Sequence, residues 1–154
     1  MKGVTDHSGF LLVAAVMFAA GLGIPITAAL SSGLGKHLAS PAAATFILYV
    51  VGLVLSGAIV AMVGFPKAEK FAGIPPQLYL GAVFVVFYVL SISWAAPRIG
   101  VGNSIFFVLL GQLIAAAVID HFALFGAAQS SISVKRVAGI VVMAFGVYLA
   151  RKPV

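Results

Sequence analysis

The sequence predicts an all-α integral membrane protein of five transmembrane helices, organised as a single membrane domain over 1–154. Three observations lead there. Only 8% of the residues are charged against 63% hydrophobic, and mean hydropathy is +1.23. A soluble domain carries about 25% charged residues to keep its surface wet, so lipid must be the solvent for most of this chain. The apolar residues also fall into five runs separated by short, breaker-rich connections. Finally, Lys36, Lys67, Lys70, Arg98, Lys135, Arg136, Arg151 and Lys152 flank those runs, where lipid phosphates receive them. The net charge of +6 is therefore scattered rather than gathered on one face, which argues against a nucleic-acid partner and for the lipid bilayer. Cysteine is absent, which excludes disulfides and thiolate metal sites.

The first run, residues 10–30, follows Asp6 and Ser8, two candidate caps. It exceeds the apolar core of a signal peptide, about 7–15 residues, and lacks a strongly basic leader, so it reads as a retained helix. The second, 42–63, is introduced by Ser40-Pro41, with Pro41 suited to a first helical turn. The third, 78–96, is entered through Pro75-Pro76 and left at Pro97-Arg98. The fourth, 103–122, is followed by a loop from Gly126 to Val134. These four have about the 20 residues that cross ~30 Å of hydrocarbon. The fifth, 137–150, covers about 21 Å at 1.5 Å per residue. Its bracket of Lys135-Arg136 and Arg151-Lys152 favours spanning, with arginines snorkelling or the bilayer thinning locally.

Small residues recur at helix-packing intervals: Ala15, Ala19 and Gly23; Gly52 and Ser56; Gly111 and Ala115; and, seven apart, Gly139 and Gly146. Such stripes let membrane helices approach closely. With five crossings, one side of the membrane holds Lys2, Lys67, Lys70, Lys135 and Arg136, and the other holds Lys36, Arg98, Arg151 and Lys152. Five against four sets almost no orientation. Two readings follow: insertion order or a partner decides, or copies insert both ways and pair antiparallel.

Polar residues at membrane depth are the candidate functional groups. Gln112 lies near the centre of the fourth helix, where its amide either contacts a neutral or zwitterionic solute or bonds a neighbouring helix. Asp120 lies eight residues further, near an interface. It is either a cation or proton site or a helix-end acid that is hydrated or paired with a nearby Lys or Arg. Phe84, Tyr88, Ser91 and Trp94 form a stripe on the third helix, and Thr45, Tyr49, Gly52 and Ser56 one on the second. These stripes line a semi-polar pocket, unless Trp94 and Tyr49 are interfacial aromatics and the hydroxyls back-bond to their own helices. Pro25 breaks a backbone bond in the first helix, with Thr27 just beyond. His7, His37 and His121 fall in three separate regions, and no nucleophile elbow or phosphate loop occurs. No metal, cofactor or enzymatic activity is expected.

The run Ser93-Trp94-Ala95-Ala96-Pro97-Arg98-Ile99-Gly100, then Gly111-Gln112-Leu113, then Asp120-His121-Phe122 and Gly126, resembles the YdcZ family of short five-helix proteins in the drug/metabolite transporter superfamily. Pro25, Leu34-Gly35, Ser40-Pro41 and Gly52 extend the resemblance over nearly the whole chain. Two positions depart from it: members often carry Gln and Asn where this chain has Thr27 and Ser31. The first-helix glutamate of the four-helix small multidrug exporters is also lacking, which disfavours a proton-coupled cation exporter of that style. The resemblance implies half of a ten-helix bundle, moving a small organic metabolite or drug across the bacterial inner membrane. The expected assembly is an antiparallel homodimer, or a heterodimer with a similar five-helix protein. The competing expectation is an accessory membrane subunit that acts only with an oppositely oriented partner.

Overall fold

The computed structural model describes residues 7–150. Five α-helices follow one another: α1 (His7–His37), α2 (Pro41–Val63), α3 (Gly81–Ile99), α4 (Val101–His121) and α5 (Val134–Ala150). Short 3-10 turns at Ala68–Phe71, Pro76–Leu80 and Leu124–Gly126 occupy the connections, and no strand occurs among the described residues. The helices up to α4 are long and apolar enough to cross a membrane. The proposed caps Asp6 and Ser8 stand at the chain's start: Asp6 lies outside the described residues, and Ser8 lies inside α1 rather than before it.

The turns explain where helices stop. Ser31 to His37, beyond the first apolar run of 10–30, continues α1 to its C-terminus. The chain then reverses in three residues: the Leu38 N–H donates to the Leu34 carbonyl at 3.0 Å, and the Ser40 N–H to the Gly35 carbonyl at 3.1 Å. Ser40 caps α2 by accepting from the Ala43 N–H at 3.2 Å, and Pro41 fills the first turn, as the Ser40-Pro41 pair suggested. Between α3 and α4 the reversal is tighter still. Gly100 alone joins them, at φ 86°, a backbone state that a side chain disfavours. Pro97 sits inside the last turn of α3 rather than ending it at Ala96.

α1 packs against α2, α3 and α4; α3 also contacts α2; and α5 rests on α4. The packing is uneven along the bundle. Ala28, Ser31, Ser32, Ala44, Thr45, Ile92, Ser93, Ala96, Asn103 and Ser104 are buried in the half that carries the α1–α2 and α3–α4 turns, whereas buried Val89 lies near mid-depth and buried Ala117 toward the other end. Ser31 and Ser93 hydroxyls bond each other there, and Ser93 in turn donates to the Val89 carbonyl at 2.7 Å. Ser93 is also the residue whose carbonyl Pro97, having no N–H, leaves unbonded along the helix. Gly35 lies against that carbonyl: a Cβ there would stand 3.7 Å from the Ser93 oxygen and 3.7 Å from the Pro41 Cα. Toward the other end, Phe10 to Leu22 of α1 and Gly81 to Phe87 of α3 are exposed throughout.

Most of the small-residue stripes are not where these helices meet. A Cβ at Gly23, Gly52, Gly111, Gly139 or Gly146 would touch nothing within 4 Å. The close approaches use Ala28, Gly35, Ala44, Ala96 and Ala117 instead.

Candidate functional site

The α3–α4 hairpin is the frame of the site. Counting from Gly100, Tyr88 is twelve residues back and Gln112 twelve residues on, so the two stand at one level, about 18 Å from the turn at 1.5 Å per residue. That is close to the middle of a ~30 Å hydrocarbon layer.

Both residues belong to the facing stripes. Ala28, Ile92 and Ala96 form a core cluster on which Tyr88, Val101, Ile105 and Val108 pack. Val101, Ile105, Val108 and Gln112 follow one another at intervals of four, three and four, a single face of α4. Gln112 therefore continues the face that packs on α1 and α3, one turn past the point where their packing stops. The result is an exposed amide at membrane depth, with no side-chain hydrogen bond among the described residues. At the same level on α3, the Tyr88 hydroxyl is buried and likewise has no hydrogen-bond partner. A buried hydroxyl without a partner costs about 1–3 kcal/mol. Two uncommitted polar groups thus sit at one depth, at the boundary between the packed and open halves of the bundle.

The remaining sequence candidates separate. Ser91 lines, with Tyr88, Ile92, Ser104 and Phe107, an apolar groove of about 260 Å³ between α3 and α4. Trp94 does not share it. It is exposed near the α3 C-terminus, with the Arg98 guanidinium 4.5 Å from its ring centroid and bonded to its carbonyl. That is an interfacial arrangement of cation and aromatic. Phe84 is exposed as well, so the third-helix stripe is split between faces. Tyr49 donates its hydroxyl to the Val85 carbonyl at 2.6 Å, tying α2 to α3 beside a separate groove of about 360 Å³. Thr45 and Ser56 bond back to the Pro41 and Leu53 carbonyls of their own helix. Thr27 is exposed on α1, next to the buried Ala28. Asp120 is bound by Arg136, Nη2 to Oδ2 at 2.7 Å, so its carboxylate links α4 to the first turn of α5. Among the described residues no group of three His, Cys, Asp or Glu side chains is placed to hold a metal ion.

Sequence reasoning missed two pairings, Ser31 with Ser93 and His121 with the Ile132 N–H. Neither carries a local signal, since partners 62 and 11 residues apart meet through tertiary packing. The level shared by Tyr88 and Gln112 was available by counting outward from Gly100.

Compared with known families, residues 12–149 match the one described as "Putative inner membrane exporter, YdcZ". The chain belongs to the YdcZ family. No curated protein and no solved structure matches it. Membership in YdcZ, with four apolar helices of spanning length, makes this a multi-pass membrane protein and points to a transporter rather than an enzyme.

Proposed function

We propose that this YdcZ chain is one half of a secondary transporter, moving a small organic metabolite or drug across the bacterial inner membrane as an antiparallel pair. The observation that carries this reading is the pair of uncommitted groups, the Tyr88 hydroxyl and the Gln112 amide, level with each other near mid-membrane. Polar groups without partners are costly in lipid, so their placement on an inward-facing stripe favours a solute that completes them. Ser91 adds a hydroxyl to the same side of α3, and the surrounding Ile92, Phe107 and Val108 offer apolar contact. An amide and two hydroxyls recognise a neutral or zwitterionic molecule by hydrogen bonding, without ionisation.

Antiparallel pairing is supported by three features. The flanking charge is balanced at five against four. The open half of one copy needs covering, and a two-fold axis in the membrane plane places mid-depth residues of both copies together. The glycines unused within the chain, Gly139 and Gly146 on α5 among them, supply faces for close contact. α5 runs back along α4 from Arg136 beside Asp120 to Ala150 beside Asn103, so it covers the same depth as α4 and serves as the fifth crossing.

Flux in liposomes reconstituted with the purified chain alone is the test. Gln112→Ala is expected to abolish flux while the yield of folded dimer stays unchanged. Equal loss of yield and flux would assign Gln112 to packing. Absence of flux in the unmodified chain, restored by a second five-helix protein, would make this chain an accessory subunit.

A further inference from the structure

α4 ends at His121, and the chain returns to α5 through residues 122–133 at the less packed end of the bundle. The backbone of this return is strained. Ala123 and Phe125 hold φ of 48° and 56°, a left-handed state that residues with a Cβ resist and bulky aromatics resist most. Such residues persist where surrounding contacts hold them. Here the contacts converge on the last two residues of α4. The Ser130 N–H donates to the Asp120 carbonyl at 2.9 Å, and the Ile132 N–H donates to His121 Nδ1 at 3.2 Å. Arg136 closes the ring through the Asp120 carboxylate at 2.7 Å, and its own N–H donates to Ser133 Oγ at 3.2 Å. α5 rests on α4, so this segment controls how the N-terminal end of α5 is held.

We propose that His121 is a pH-sensitive latch on this segment, closed while Nδ1 carries no proton and opened when the imidazole is protonated. The chemistry runs one way. Nδ1 accepts the Ile132 N–H only through its lone pair, whereas an imidazolium carries hydrogens on both ring nitrogens and meets that donor with another. Imidazole is the side-chain group whose charge changes between about pH 5 and 8, so the latch is closed on the alkaline side and open on the acid side. Among the described residues, the charged groups at this end on the elements packed against α4 are Asp120, Lys135 and Arg136, the first and last bound to each other. α1 begins at this end with His7. Tyr88 of α3 lies at mid-depth, and Lys36 and His37 of α1, Arg98 of α3 and Tyr148 of α5 lie toward the opposite end. Opening relaxes the strained Ala123 and Phe125 and loosens α5 at the rim of the open half. The inference does not depend on which solute, if any, the protein carries.

Hydrogen exchange on the full chain in lipid nanodiscs, corrected for intrinsic rates, reads the latch through protection of the segment 128–133. Protection is expected to fall about threefold to tenfold between pH 8 and pH 5, the loss of one hydrogen bond. His121→Asn, whose Oδ1 stands where Nδ1 did, should keep protection and make it independent of pH. His121→Ala should be poorly protected at both values. Should that variant not fold, the unmodified chain and His121→Asn decide alone. Equal protection at both pH values in the unmodified chain overturns the proposal. So does an undiminished pH response in His121→Asn, which would move the titrating group to the Asp120–Arg136 pair.

Discussion

Tyr88 shows what a single residue reveals about purpose. Its ring packs on Ala28, Ile92 and Ala96 as any core aromatic does, yet its hydroxyl is buried with nothing to bond. A residue selected for packing alone would do better as phenylalanine. Tyr88→Phe is therefore expected to stabilise the unliganded protein by about 1 kcal/mol, because it removes the unsatisfied group and keeps the ring. The same change is expected to weaken solute flux. Reversible unfolding in mixed micelles and liposome flux measure the two effects separately. A destabilised variant would show that the hydroxyl has a structural partner. A stabilised variant with full flux would remove Tyr88 from the solute site. Gln112 is the companion case, legible in the sequence because an amide amid Leu109-Leu110-Gly111 and Leu113 stands out against its neighbours. Asp120 stood out equally, but which cation would meet it depended on how residues 122–133 fold back.

At the scale of elements, membrane helices conceal the faces they bury. In water an amphipathic stripe marks the packed side, whereas in lipid both sides are apolar and the stripe carries no contrast. Helix existence and order were thus readable from run lengths and from Ser40-Pro41, Pro75-Pro76 and Pro97-Arg98, while contact faces were not. The abundant glycines illustrate this: five stripe glycines looked equally suited to close packing, and the chain uses Gly35, outside all of the stripes. Gly35 sits where the α1 C-terminus meets Pro41 of α2 and the Ser93 carbonyl of α3, with 3.7 Å to a notional Cβ. That distance is ordinary contact, so Gly35→Ala should be neutral or stabilising, by up to about 1 kcal/mol from helix propensity. Gly35→Leu should instead wedge α1 from α2 and α3 and cost several-fold more, about 1–3 kcal/mol. Unfolding titrations of both variants check the pair; equal tolerance of leucine would mean that the three helices are not held at this distance.

For the whole molecule, the open half and the balanced charge belong together. A five-helix unit packed at one end leaves Phe10 to Leu22 and Gly81 to Phe87 largely exposed. In the antiparallel pairing proposed above, a second copy inserted the other way would cover them. The flanking charges, five against four, permit both insertions. C-terminal reporter fusions are therefore expected to be active on both sides of the membrane, and two lysines added to the C-terminal tail should drive that terminus to the cytoplasm. A reporter found on one side only would exclude the antiparallel homodimer and leave a parallel assembly, or pairing with an oppositely inserted protein.

Hydropathy, breakers and charge act within a few residues of where they are written. They accordingly settle the helical class, the order of five helices, the membrane as solvent and the depth of Gln112. Closing the bundle requires helices far apart in sequence to choose faces. That choice depends on shape and on pairwise bonds between distant residues, because lipid rewards every apolar face alike. Tertiary structure alone therefore decided that α1 runs on to His37, that Trp94 parts from Tyr88, and that Ser31 meets Ser93. It also decided that the bundle is packed at one end and open at the other, the asymmetry that sets Tyr88 and Gln112 at the boundary between the two.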